Sequence, residues 1–217
     1  SRPYLVSEFG PDGYWDDDRD HFDQTHGLLE GTAMEKAWDY AYRWRKYIQA
    51  NQGWNIGGVA YCWSDRYEGT PTWFGMVDLD HRLKPAISAV QNAWRNPDPR
   101  LGGNFPYEGP KIIDMSFPTG PQWPHEPFIV KADVDLRGNN NPRYVWSVTG
   151  PGFDTDVGKI TPLAAGVSAS IELPATQGWY RVQLKVLGNS GLDEADVPVL
   201  VQDANTDVTA IEGYVQK

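Results

Sequence analysis

Three things are scarce in this chain of 217 residues. Cysteine occurs once, as Cys62, so no intrachain disulfide can form and a lone thiol leaves the redox compartment open. Long apolar runs are missing: no stretch approaches the roughly 20 consecutive apolar residues of a membrane span, which excludes a helical span. Positive charge is in the minority, with 19 Lys plus Arg against 29 Asp plus Glu, a net charge of −10 and a pI near 4.8. Such a balance repels a phosphate backbone, so nucleic acid is excluded as the expected partner and uncharged ligands fit better. Neither HExxH nor a paired His spacing occurs, so no catalytic metal or other cofactor is expected. No secretory signal is visible, and because the chain opens inside an apolar strand this says little about export.

Aromatic residues are abundant instead: ten Trp, eleven Tyr and seven Phe. Indole faces stack on the apolar faces of sugar rings, so the composition suits neutral carbohydrate, although any single Trp also makes good core. At 40% apolar residues, a sizeable core is within reach.

Two periodicities divide the chain. Residues 3–9, "PYLVSEF", form a short apolar run with little alternation, as in a buried parallel strand. An Asp-rich loop follows to about Gly31. Within it "WDDDRDHFD" clusters oxygen ligands but lacks the Gly and Glu spacing of an EF-hand, and reads as a solvated acidic loop. A helix opens at Thr32, with Glu35 completing a capping box; Ala37, Ala41, Trp44 and Ile48 line one face and Gly53 ends it. A second apolar strand runs from Ile56 to Trp63. After a loop rich in Gly, Pro and aromatics, Pro85 starts another helix, burying Ala86, Val90 and either Ala93 or Trp94. Strand, loop and helix occur twice, which is two βα units over residues 1–96.

Residues 97–110 are a Pro/Gly linker. Beyond it apolar residues alternate: Phe128 to Leu136, Tyr144 to Val148, Val167 to Leu173, Tyr180 to Val186 and Val197 to Val201. Turn residues every ~8–12 positions make residues 111–203 an antiparallel β-sandwich, with a tail at 204–217. "ATQGWYRVQLKV" resembles the tyrosine-corner strand of immunoglobulin-like domains, with Tyr180 at the corner and Trp146 as core Trp of the opposing sheet. Trp123 and Trp179 are candidates for surface positions. The fold class is therefore α/β plus all-β.

Each apolar strand of the first half ends in chemically loaded residues: Ser7-Glu8-Phe9-Gly10 and Cys62-Trp63-Ser64-Asp65. A carboxylate on a strand tip is held rigidly, as nucleophilic attack on an anomeric carbon requires. "PYLVSEFG" resembles the seventh strand of clan A retaining glycoside hydrolases. "GGVAYCWSDRYEGTPTWFGMVDLDHRLKPAISAVQNAW" resembles their eighth strand, loop and closing helix. The resemblance covers residues 3–95. It implies the last two βα units of a (β/α)8 barrel joined to an immunoglobulin-like domain, with Glu8 as nucleophile and Trp63 as the sugar platform. It further implies a cis peptide bond at Trp63–Ser64.

Trp15 and Tyr14 in the first loop, Trp73 in "TPTWFG", Arg66 after the second strand and His26 are candidates for substrate contact. Cys62 reads as a small packing residue. Retaining hydrolysis needs a second carboxylate about 5–5.5 Å from the nucleophile. In the family it lies on the fourth strand, and a full barrel takes about 250 residues. The resemblance thus implies that the acid/base and six strands belong to a missing N-terminal portion of the same protein. Its substrate would be a β-linked poly- or oligosaccharide, and its location extracellular, periplasmic or cell-surface. A non-catalytic carbohydrate-binding or cell-surface module, and a transglycosylase sharing Glu8, are the alternatives.

Overall fold

Strand β1 (Tyr4–Phe9) lies parallel to β2 (Asn55–Ala60), and helices α1 (Ala33–Arg43) and α2 (Pro85–Arg95) pack together beneath them. The computed structural model describes residues 2–16, 22, 27–96 and 105–202. At the start of α1, Thr32 Oγ1 accepts from the Glu35 amide at 3.1 Å while Glu35 Oε2 accepts from the Thr32 amide at 2.8 Å. The capping box is thus formed as the spacing predicts. The helix continues through a π turn at Trp44–Ile48 and a 3-10 turn at Gln49–Asn51, keeping Ala37, Ala41 and Ile48 in the core. In α2, Pro85 occupies the first turn, and Ala93 rather than Trp94 is the buried member of its pair.

Strand β2 is shorter than its apolar run. Beyond Tyr61 the chain leaves β1: the carbonyls of Cys62 and Trp63 accept from the amides of Met76 and Val77 at 2.9–3.0 Å. The cis bond expected at Trp63–Ser64 is instead found two residues earlier, at Tyr61–Cys62. At Gly58 the strand passes close under the helix: a Cβ there would meet the end of the Ile48 side chain and lie 3.2 Å from the Phe9 ring.

The second half holds two antiparallel sheets. One orders β3 (Lys111–Ser116), β4 (Phe128–Asp135), β7 (Ser168–Glu172) and β6 (Lys159–Leu163) as β3-β4-β7-β6. The other orders β5 (Arg143–Thr149), β8 (Gly178–Gly188) and β9 (Gly191–Val201) as β5-β8-β9. Inward residues of both build one core, including Val130, Ala132, Val148, Ile171, Val182, Leu184 and Val199. Alternation misses β3 because its pairing with β4 shifts between Ile112 and Asp114, and misses β6 because that edge strand is mostly exposed. Tyr180 forms the corner: its hydroxyl donates to the Thr176 carbonyl at 2.7 Å. Trp146 corrects the expectation of opposing sheets, since it stands on β5, in the same sheet as Tyr180. It reaches across instead, its Nε1 donating to Gly166 O at 2.8 Å just before β7. Trp123 is exposed as expected, whereas Trp179 is buried, opposite Leu200 in the β8–β9 register. The expected tail at 204–217 and residues 97–104 of the expected linker lie outside the described residues. At 105–110 the chain is tied down: Tyr107 is buried and its hydroxyl donates to Leu192 O at 2.5 Å.

Buried charge joins the halves. The outer faces of β8 and β9 carry Arg181, Lys185, Glu194 and Asp196 toward α1, α2 and their loops. Lys84, just before α2, bonds both Asp65 and Glu194. Lys185 reaches Asp78 at 2.9 Å and Glu194 at 3.5 Å. Arg181 pairs with Asp196, donates to the Leu28 carbonyl and lies 3.8 Å from Glu30, whose other oxygen takes Lys36 at 2.5 Å and Thr72 at 2.8 Å. Asp193 of β9 accepts from the Met34 amide in the first turn of α1 at 3.1 Å and from the Ile112 amide at 2.8 Å.

Two predictions follow from these groups. Burial works to raise the Glu30 carboxyl, but Lys36 and Arg181 outweigh it and hold it at about 2, against an ordinary 4.5. A depressed carboxylate stabilises the fold above its unfolded pKa and loses that contribution as pH falls. Unfolding free energy should drop by about 3 kcal/mol between roughly pH 4.5 and 2, a slope that Glu30→Gln flattens in urea titrations at stepped pH. Lys84→Met removes the cation shared by two buried carboxylates and should cost about 3–5 kcal/mol, read as a lower urea midpoint.

Candidate functional site

The tips of β1 and β2 lie side by side. The Tyr61 amide donates to the Phe9 carbonyl at 2.8 Å, and the Tyr40 hydroxyl donates to the Tyr61 carbonyl at 2.6 Å, so α1 fixes both ends. Register pairs Val6 with Gly58 and Phe9 with Ala60, three steps on β1 against two on β2. The register therefore shifts by one residue across Ser7–Glu8. Glu8 is exposed at the strand's penultimate position, while Phe9 turns into the helical core.

Trp63, just beyond β2, is 59% exposed and contributes to no core cluster. Trp15 is 58% exposed, its ring 4.8 Å from Tyr14 and 6.0 Å from Phe74. Tyr14 is half-buried between Trp15 and Trp73. Trp73 departs from its expected role: at 4% exposure, with Nε1 donating to Asp12 O at 2.8 Å, it anchors the first loop and offers no free face to a sugar. Arg66 is exposed, 3.1 Å from Glu68 and over the Tyr61 ring. His26 lies outside the described residues. Cys62 is half-buried and its thiol, which donates to Ser64 O at 3.1 Å, is pushed up by burial, consistent with packing.

Three residues that sequence reasoning passed over join this surface. The Tyr61 hydroxyl donates to Glu68 Oε2 at 2.8 Å, and that bond, with burial behind it, raises the phenol to about 12. Glu68 therefore holds a phenol and a guanidinium together beside the β2 tip. Its only sequence signal is its place in "WSDRYEG", five residues past Trp63. Phe153, from the β5–β6 loop of the sandwich, meets Tyr67 edge-on at 5.7 Å, so the second half reaches the same loop. Nothing in the local sequence marks Phe153 for that contact.

No family model and no curated protein matches the sequence. Among solved structures the chain is similar to the endo-β-1,4-mannanase from Thermotoga petrophila at 12% identity and TM-score 0.28, over 93% of this chain and 39% of that one. It is similar to Bacteroides uniformis β-glucuronidase 3 at 14% identity and TM-score 0.28, over 77% of this chain and 20% of that one. The Lin-41 filamin domain aligns at 17% identity and TM-score 0.27, over 45% of this chain and 96% of that one. The chain thus spans well under half of either glycoside hydrolase.

The two kinds of aromatic separate experimentally. Trp73→Phe strands a carbonyl and should cost about 1–3 kcal/mol in urea denaturation. Trp63→Ala, at an exposed and unpacked position, should change stability by less than about 0.5 kcal/mol.

Proposed function

We propose that this chain is part of a carbohydrate-active enzyme, a retaining glycoside hydrolase acting on β-linked glycans. The observation that carries the reading is the paired strand tips: exposed Glu8 stands next to last on β1, the exposed indole of Trp63 follows just beyond β2, and the Tyr61 amide bonds the two tips together at Phe9. Glu8 attacks the anomeric carbon and the glycosidic oxygen leaves with a proton from a second carboxylate. Water then hydrolyses the glycosyl-enzyme, its proton passing to that same carboxylate. Trp63 floors the subsite of the reacting sugar, with Trp15, Tyr14 and Arg66 on its rim. Polysaccharide substrates extend the proposal to a location outside the cytoplasm.

The proton donor and the other strands come, in this reading, from the rest of a (β/α)8 barrel in the same protein. The sheet supports it. Parallel strands are ordinarily covered on both faces and flanked by others, and a two-stranded sheet is marginal alone. Here the outer edges of β1 and β2 lack ladder partners among the described residues, and Ile56 and Val59 stand 73% and 53% exposed. The exposed indoles also suit a second reading, binding of glycan without cleavage.

The 217-residue chain should show no turnover of aryl β-glycosides. Turnover that vanishes on Glu8→Ala would overturn the incomplete-barrel reading. In tryptophan-fluorescence titration, a β-linked oligosaccharide should bind, and Trp63→Ala should weaken it by about tenfold or more. Binding indifferent to Trp63→Ala would move the sugar site elsewhere.

A further inference from the structure

A cleft of about 560 Å³ opens where the two halves meet, and neither Glu8 nor Trp63 lines it. One wall is the turn carrying Arg82 and Leu83. The other is the tip of the β8–β9 hairpin, with Asn141 and Arg143 at the start of β5.

Both walls are held by buried groups. The hairpin turns on Asn189 and Ser190, and the Asn189 amide donates to Asn139 Oδ1 at 2.9 Å. Asn139 is itself buried, its Nδ2 donating to Glu108 O and Leu136 O at 2.7 Å. Gly188 permits that approach, since a Cβ would stand 2.5 Å from Asn139 Oδ1 and 2.7 Å from Pro110. Across the cleft, fully buried Asp78 accepts from the Arg82 amide at 2.8 Å and from its Nη1 at 3.1 Å, while Lys185 holds Asp78 from the sandwich side. The lining is therefore built before any ligand arrives.

Its charge is specific. Arg82 is matched by Asp78 and Asp80. Arg143 is exposed and has no acidic partner among the described residues. In a chain of net charge −10, the cleft therefore presents one uncompensated guanidinium. One positive charge fits a monoanion better than a phosphate chain or a polysulfate. Leu83 and Leu187 provide apolar surface, and Asn141, Asn189 and Ser190 provide both donors and acceptors for hydroxyls. We infer that this cleft binds a carboxylate-bearing sugar, a hexuronate unit of an acidic glycan. Arg143 takes the carboxylate in a two-pronged hydrogen bond, the leucines lie against the ring CH groups, and the amides and Ser190 take ring hydroxyls.

Calorimetric titration of the 217-residue chain tests this with three probes: a hexuronate trisaccharide, a neutral trisaccharide of the same linkage, and inorganic sulfate. The hexuronate should bind at least about tenfold more tightly than either comparator, and more weakly as salt rises. Arg143→Gln should lower that affinity about tenfold with the melting temperature unchanged. Equal affinity for the neutral sugar or for sulfate, or no effect of Arg143→Gln, overturns the assignment. So does loss of hexuronate binding on Trp63→Ala, which would transfer the sugar to the β2 tip. Because the cleft shares no residue with Glu8 and Trp63, failure here leaves the glycosidase reading standing.

Discussion

Carboxylates withdrawn from solvent must find cations, and in this molecule part of that pairing crosses between its two halves: Lys84 to Glu194, Lys185 to Asp78 and Arg181 toward Glu30. Glu30, Asp65, Asp193, Glu194 and Asp196 are all withdrawn from solvent, answered by Lys36, Lys84, Arg181 and Lys185 and by the amides at the start of α1. Desolvating each charge costs several kcal/mol, recovered only in good geometry. Burial and the neighbouring Glu194 raise Asp65 to about 8, whereas Lys84 and Lys185 outweigh burial at Glu194 and hold it low. Sliding the sandwich along the βα half by one residue would separate Lys84 from Glu194 and Lys185 from Asp78, so the docking has one register.

Both candidate surfaces inherit their rigidity from that docking. The loop after β2 is held at Asp65 by Lys84, which is held in turn by Glu194 of β9. The turn carrying Arg82 hangs on Asp78, which Lys185 of β8 grips. The loop after Trp63 and the turn carrying Arg82 thus stand on backbone braced from the opposite half. Pre-organisation of this kind lowers the ordering cost of binding.

Local signals in the sequence were reliable where local physics decides. Thr32 and Glu35 form their capping box, Pro85 opens its helix, and Tyr180 makes its corner bond. The seam was not legible. In "GLDEADVPVLV" the apolar alternation shows only from Val197. The structure runs β9 from Gly191, with Ala195, Val197, Val199 and Val201 in the core and Glu194 and Asp196 facing Lys84 and Arg181. A buried carboxylate looks like a solvated one until its cation is located, and Lys84 lies 110 residues earlier in the chain than Glu194. The β1 tip is an intermediate case. The apolar run and the carboxylate near its end are visible in the sequence, but the register shift across Ser7–Glu8 is a property of pairing between strands.

The seam also changes what counts as a module in this chain. Along the sequence, the Pro/Gly stretch near residue 100 looks like a natural place to cut. In energy it is not, because β9 spends one face on the sandwich core and the other on its neighbour. A sandwich excised there would carry Glu194 and Arg181 into water without Lys84 and Glu30 beside them, and the helical half would lose the aspartate that accepts from its first turn. Genetic exchange of such a sandwich between proteins would therefore have to carry its docking partner along. The heritable unit here is the pair.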